Sequence, residues 1–166
     1  VAALYTHVVS EQRRTVLQAP STGARVETVE HILSAFAGLG VTDALIDVSG
    51  PELPIGDGSA LLWVDAITRA GVTDIAQPLP APIVVTQPLL IAERHGQIEA
   101  FAASPSRPGI ELTYRLDYGP GSPIPPQEST VFVPMGADPS TYTREIAPAR
   151  MFSTQAEAEG ARQMGG

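Results

Sequence analysis

Between Val29 and Gly40 the chain carries a run that can fold in few ways. Val29, Ile32, Leu33 and Phe36 recur at i, i+3, i+4 and i+7, one apolar stripe on a helix. Thr28 is placed to cap its start, and Gly38 or Gly40 to end it. The opposite side, with His31, Ser34, Ala35 and Gly38, carries no charge, and Glu30 lies at the border. A face left to water normally carries charge. A helix that is apolar on one side and small and uncharged on the other has to be covered from both. The fold must therefore close something tightly over the small side as well.

Glu30 and His31 fall in the first turn of this helix. The partial positive charge at a helix N-terminus favours a carboxylate and disfavours an imidazolium. A neutral imidazole is the form that ligates a metal. A carboxylate beside it has the chemistry of a general base. Taken alone, the pair is equally a half-exposed His following a helix-favouring Glu, and that plainer case is the commoner one.

Composition narrows the rest. The chain has 166 residues, 43% of them hydrophobic, enough for one ordinary domain or two small ones. Net charge is −8, all ten basic residues are Arg, and no basic cluster occurs, which argues against nucleic acid and an electrostatic membrane anchor. With no Cys, disulfides and thiolate metal sites are excluded. No apolar run reaches the roughly 18 residues of a membrane span, and no signal peptide is evident. With Val1 first and Met164-Gly165-Gly166 last, the sequence reads as a piece of a longer protein that lacks part of its own chain.

Punctuation by Pro and Gly divides the chain. Residues 1–77 read as a first α/β domain, 78–82 as a Pro-rich linker, and 83–166 as the start of a second α/β domain. In the first, Val1 to Leu4 and Thr15 to Leu17 read as strands, residues 19–23 as a turn, and Ala44 to Val48 as a buried strand. The loop over residues 49–59 precedes a helix from Ala60 to Ala70, which Ser59 can cap. In the second, strands are expected at Ile83 to Thr86, Leu89 to Ala92 and Gln97 to Ala103, with a hairpin turn at Arg94-His95-Gly96. Ile110, Leu112, Tyr114, Leu116 and Tyr118 alternate with polar residues, the pattern of a half-buried strand. Another strand covers Ser129 to Val133. Asp138 caps a short helix that has Pro139 at its first position. A polar helix follows at Gln155 to Gln163.

The ordered block Thr28-Val29-Glu30-His31, Ala37-Gly38-Leu39-Gly40, Pro51-Glu52-Leu53-Pro54-Ile55 and Asp57-Gly58-Ser59-Ala60 resembles UDP-3-O-acyl-N-acetylglucosamine deacetylase, the zinc amidase family of lipid A biosynthesis. Arg13-Arg14-Thr15 fits that family's strand before the His-bearing helix, and Ala149-Arg150-Met151-Phe152 resembles its Ala-Arg-Thr-Phe segment. The resemblance implies an α+β fold. Two similar sheet-plus-helix layers form a sandwich with helices inside, and the second domain is incomplete here. It implies a cytoplasmic enzyme that removes acetate from a UDP-sugar lipid substrate, with no nucleic acid partner and no membrane span. It makes Glu30 the catalytic base and His31 one zinc ligand, with Met151 and Phe152 lining the substrate site. The family's other ligands, a His and an Asp four residues apart, and its general-acid His find no counterpart in this sequence, so the piece alone is expected to be inactive. Met151 stands where the family has Thr, whose hydroxyl helps hold the oxyanion.

Other candidates have plainer readings beside the chemical ones. Asp57-Gly58-Ser59 suits catalysis or a helix cap. Arg13 and Arg14 suit a diphosphate or an edge-strand charge pair. Phe152 suits an apolar passage or the core. His7 and His95 read as structural or solvated. The functional alternatives to the enzyme are a non-catalytic relative that binds a nucleotide sugar or a protein partner, and an unrelated α/β interaction domain.

Overall fold

The computed structural model describes residues 1–166 except 12, 79–82, 94–95, 135, 137 and 164–166. The described chain is mixed α+β, as expected. It divides into two compact units, Val1–Val72 with Asp138–Gly166, and Thr73–Ala137. The sequence placed 83–166 in the second domain, so this grouping differs for the last segment. The reason is packing: Tyr142 and Ala147 share one buried cluster with Ala35, Ala60 and Val64. The expected linker lies almost wholly outside the described residues.

Val1 to Leu4, where a strand was expected, are irregular, and a 3-10 turn follows at Tyr5–His7. Three short antiparallel strands follow in sequence order: β1 (Val8–Val9), β2 (Val16–Gln18) and β3 (Arg25–Glu27). Val16 opposes Glu27 and Leu17 opposes Val26. The predicted turn joins β2 to β3, with Gly23 left-handed and its N–H donating to Ala19 O. Arg14 pairs with Glu27 and Arg25 with Glu11 along this sheet. Arg13 reaches Glu157. These are partly exposed charge pairs, worth little each.

Helix α1 (Glu30–Leu39) ends at left-handed Gly40, whose N–H returns to Ala37 O. Helix α2 spans Leu61–Ala70 and ends at Gly71. The two faces of α1 meet different partners. Val29 and Ile32 are buried with Leu17 of β2 and Leu53, and Leu33 and Phe36 lie against them. Ala35, on the small side, is fully buried with Ala60 and Val64, and Tyr142 and Ala147 close the same cluster. Trp63 packs against both clusters. Helix α1 is thus covered from both sides, as its uncharged faces require.

Helix α3 (Pro139–Glu145) supplies the small-side cover. Asp138 caps it by accepting from the Ser140 N–H, with Pro139 next, as the sequence indicated. The Tyr142 ring lies so close to Gly38 that a Cβ there would fall within it. The Tyr142 hydroxyl and Ser34 Oγ are 2.7 Å apart. Helix α4 (Gln155–Gln163) begins with a capping box. The Glu157 N–H donates to Thr154 Oγ1, and the Thr154 N–H donates to Glu157 Oε2.

Residues 44–48 form no strand. Leu45 is 94% exposed, and the nearest pairing among the described residues is an isolated parallel bridge between Glu27 and Glu52. An apolar run becomes a strand only when a neighbour takes up its backbone groups, and among the described residues none does.

The second unit contains two antiparallel hairpins among its described residues. The first pairs β4 (Leu89–Glu93) with β5 (Gly96–Ala100), and the second pairs β6 (Gly109–Leu116) with β7 (Gln127–Pro134). Residues 83–86 are irregular, contrary to expectation. The alternation in β6 is real: Ile110 opposes Val133 and Leu112 opposes Val131 on one face. That face is not half-buried as expected, since Ile110, Leu112 and Tyr114 stay exposed. The hairpin turn at residues 94–95 lies outside the described residues.

Candidate active site

The site is set by a sharp change of direction. Strand β3 ends at Glu27 and α1 begins at Glu30, so Thr28 and Val29 must turn the chain. Thr28 does so at a φ of 57°, the left-handed region, where a β-branched residue is an outlier. Such a conformation costs on the order of 1–3 kcal/mol and persists where the surroundings over-determine it. The surroundings are specific. The Glu27 N–H donates to Pro51 O at 2.8 Å, and the Leu53 N–H donates to Glu27 O at 3.1 Å. The Thr28 hydroxyl donates to Glu52 Oε1 at 2.7 Å. Thr28 therefore does not cap α1 as expected. Val29 occupies the N-cap position, and no side chain caps the helix there.

The same turn brings α1 back to the start of β2. The Val29 N–H donates to Thr15 O at 3.3 Å, and Glu30 Oε2 accepts the Thr15 N–H at 3.0 Å. The Glu30 carboxylate is thus anchored by a main-chain amide and half-buried. Its other oxygen has no hydrogen-bond partner among the described residues. His31, next along, is half-buried on the first turn and likewise has no hydrogen bond among the described residues.

A second group forms at the loop before α2. Asp57 Oδ1 accepts from the Ser59 hydroxyl at 2.6 Å and from its N–H at 3.0 Å. Ser59 Oγ in turn accepts the Leu61 N–H at 3.2 Å. Ser59 is buried and serves the first turn of α2 one residue ahead of the N-cap, Ala60. The Ser59 hydroxyl, and then its amide, hold the Asp57 carboxyl below the usual carboxylate range. These contacts support the capping reading of this triplet.

Met151 and Phe152 belong beside this loop. The Met151 N–H donates to Gly58 O at 2.9 Å, and Arg150 Nε donates to Asp57 O at 2.9 Å. The Ala60 N–H donates to Ala147 O at 3.0 Å. Gly58 has a φ of 84°, and a Cβ there would meet Met151 Cγ at 2.9 Å, so glycine is needed for this approach. The two side chains are 50% and 51% exposed, which rules out the core reading of Phe152. No described hydrogen bond joins this group to Glu30 or His31. His7 Nδ1 lies 2.9 Å from Ala2 O in an exposed local contact, and His95 lies outside the described residues.

The roles of three residues escaped the sequence reading. Glu52 and Thr15 stood in the segments that resemble the family but with no part assigned to them, and Tyr142 belongs to a helix distant in the chain. Thr15 acts through its amide, which no side-chain pattern could signal.

A metal needs more than this unit supplies. Among the described residues no three His, Asp or Glu side chains gather where they could hold an ion. A catalytic zinc takes about three protein ligands. His31 is a suitable donor, but these residues do not complete a site.

The family model for UDP-3-O-acyl N-acetylglycosamine deacetylase, LpxC, matches residues 1–166. The chain belongs to this family. The UDP-3-O-acyl-N-acetylglucosamine deacetylase of Thermosynechococcus vestitus (strain NIES-2133 / IAM M-273 / BP-1) is 37% identical over 158 residues, covering 95% of this chain and 50% of that protein. The deacetylase of the same name from Syntrophus aciditrophicus (strain SB) is 34% identical over 139 residues, covering 84% of this chain and 41% of the relative. That of Synechocystis sp. (strain ATCC 27184 / PCC 6803 / Kazusa) is 36% identical over 144 residues, covering 86% and 49%. This LpxC-family chain thus spans about half the length of the curated relatives it matches. Among its described residues no helix is long and apolar enough to cross a membrane.

Proposed function

We propose that this chain is part of a cytoplasmic, zinc-dependent deacetylase that removes acetate from UDP-3-O-acyl-N-acetylglucosamine in lipid A biosynthesis. The observation that carries the proposal is the first turn of α1. A carboxylate fixed by the Thr15 amide stands next to an imidazole with no hydrogen bond among the described residues. Glu30 is the base: its free oxygen takes a proton from the water that attacks the acetamide carbon. The C–N bond then breaks: acetate leaves with the water oxygen, and the sugar nitrogen takes up the proton that Glu30 received from the water and departs as the amine. His31 contributes one ligand to zinc, whose chemistry when bound is to polarise the amide carbonyl. Among the described residues no further ligands gather beside His31. Met151 and Phe152 line the substrate site from beside the Asp57–Ser59 loop.

The test uses the full-length parent supplied with zinc. Acetate release from the UDP-sugar lipid is expected, together with a His-x-x-x-Asp pair downstream in the parent sequence. A zinc-loaded parent that releases no acetate defeats the proposal. The isolated 166 residues are expected to bind zinc weakly or not at all, and tight one-to-one binding by calorimetry would contradict that ligand count.

One observation favours a second reading, a non-catalytic relative that binds a nucleotide sugar or a protein partner. Met151 offers no hydroxyl where the family has Thr, and losing an oxyanion donor costs on the order of 3 kcal/mol of transition-state stabilisation. Met151→Thr in the parent separates the two. A faster acetate release supports the enzyme, and no turnover in either form supports the non-catalytic relative.

A further inference from the structure

We infer that Thr28 and Glu52 form a positioning latch for the catalytic turn, an inference that rests on the deacetylase reading of Glu30 and His31. Three observations meet at Thr28. It is only 3% exposed, its backbone is left-handed, and its hydroxyl is committed to Glu52 Oε1. Glycine or asparagine would hold this backbone with less strain. A threonine here makes physical sense when its hydroxyl is used, and that use is the bond to Glu52. Glu52 sits between Pro51 and Leu53, whose backbone groups grip Glu27 on either side. The segment 51–53 therefore holds the turn by its backbone before Thr28 and by a side chain at Thr28.

What the latch sets is the direction in which α1 starts. Glu30 follows two residues later, and its carboxylate meets the Thr15 N–H only if the turn is held. Thr15 uses both its backbone groups on this helix start, its carbonyl for Val29 and its amide for Glu30. Glu52 and Thr28 touch no reacting atom in this scheme. They act through Glu30 and His31, as groups behind a ligating or catalytic shell do.

The test is made in the full-length parent with Thr28→Val, which keeps the shape and removes the donor, and Thr28→Ser, which keeps the donor and sheds a methyl. Glu52→Ala and the double variant Thr28→Val/Glu52→Ala complete the set. Loss of such supporting partners typically costs about 10–100-fold in activity or metal affinity, and that fall is expected in kcat for Thr28→Val and Glu52→Ala, with KM nearly unchanged. Thr28→Ser should recover most of the rate, and the double variant should be no worse than either single one. The amide of Thr15, read by hydrogen exchange, should lose its protection in Thr28→Val and keep it in Thr28→Ser. Equal kcat in Thr28→Val and the parent, or additive losses in the double variant, overturn the latch. Should the unaltered parent release no acetate, the deacetylase reading fails by itself. The Thr15 amide then judges the latch alone, and unchanged protection in Thr28→Val overturns it.

Discussion

Gly38→Ala sets two measurable effects against each other. Replacing glycine by alanine inside a helix normally stabilises by about 1 kcal/mol, through backbone entropy. Here the new methyl would fall within the Tyr142 ring, so the ring must move. Forcing an extra methyl into a packed site costs about 1–3 kcal/mol. Displacing the ring also removes the Ser34–Tyr142 hydrogen bond, worth about 1 kcal/mol net. The loss of that bond and the gain in propensity nearly cancel. The overpacking remains, and the expected net effect is a destabilisation of about 1–3 kcal/mol. Tyr142 sits in the buried cluster with Ala35, Ala60, Val64 and Ala147, so the strain falls where α3 closes over α1. Chemical unfolding followed by tyrosine and tryptophan fluorescence measures it, since Trp63 borders the same cluster. In a Tyr142→Ala background the clash is gone, and Gly38→Ala should there stabilise by about 1 kcal/mol. A Gly38→Ala chain more stable than the parent would refute the packing argument. So would a sign that does not invert in the Tyr142→Ala background.

Other outcomes follow from single contacts. In the full-length parent, Glu30→Gln keeps an acceptor for the Thr15 amide but no base, so kcat should fall about 10²–10⁴-fold with the unfolding midpoint unmoved; a normal rate would remove Glu30 from the chemistry. Asp57 is held below its ordinary range by Ser59, so its contribution is present above the unfolded-state value and is lost as pH falls through the lowered one. Asp57→Asn should therefore flatten part of the acid limb of a stability–pH curve, and an unchanged limb would contradict the assignment. Thr154→Ala opens the capping box and should cost about 0.5–2 kcal/mol, seen as faster amide exchange over the first turn of α4; unchanged exchange would mean that the box is inert.

The parts legible in the sequence were those whose cause is local. The 3.6-residue spacing gave α1 to within a residue or two, Asp138-Pro139 marked the start of α3, and alternation marked β6. Each signal comes from groups a few residues apart. The uncharged side of α1 was also informative, because an absence of charge states that something covers it. What covers it was not readable. Tyr142 lies 108 positions beyond its partner Ser34, and no periodicity connects the two. The strand expected at Ala44 to Val48 failed for the same reason, since pairing is decided by a neighbour and not by the run itself.

The site divides along the same line. Glu30 and His31 could be picked out because the electrostatics of a helix start suit their chemistry and the motif around them resembles the family's. The groups that aim them could not, because each acts across the fold: the Thr15 amide from β2, and the Glu52 carboxylate from the loop beyond α1. Thr28 shows why this matters. Its identity suited a helix cap, and the cap would have left its backbone relaxed. The structure instead places it in a left-handed turn and commits its hydroxyl to Glu52. A residue that breaks its local preference is held by something non-local, and here the hold lies two positions ahead of the proposed base. Local strain and the geometry proposed for the base are therefore one arrangement in this chain: on the latch proposal, relaxing the turn at Thr28 would release the Glu30 carboxylate from the Thr15 amide.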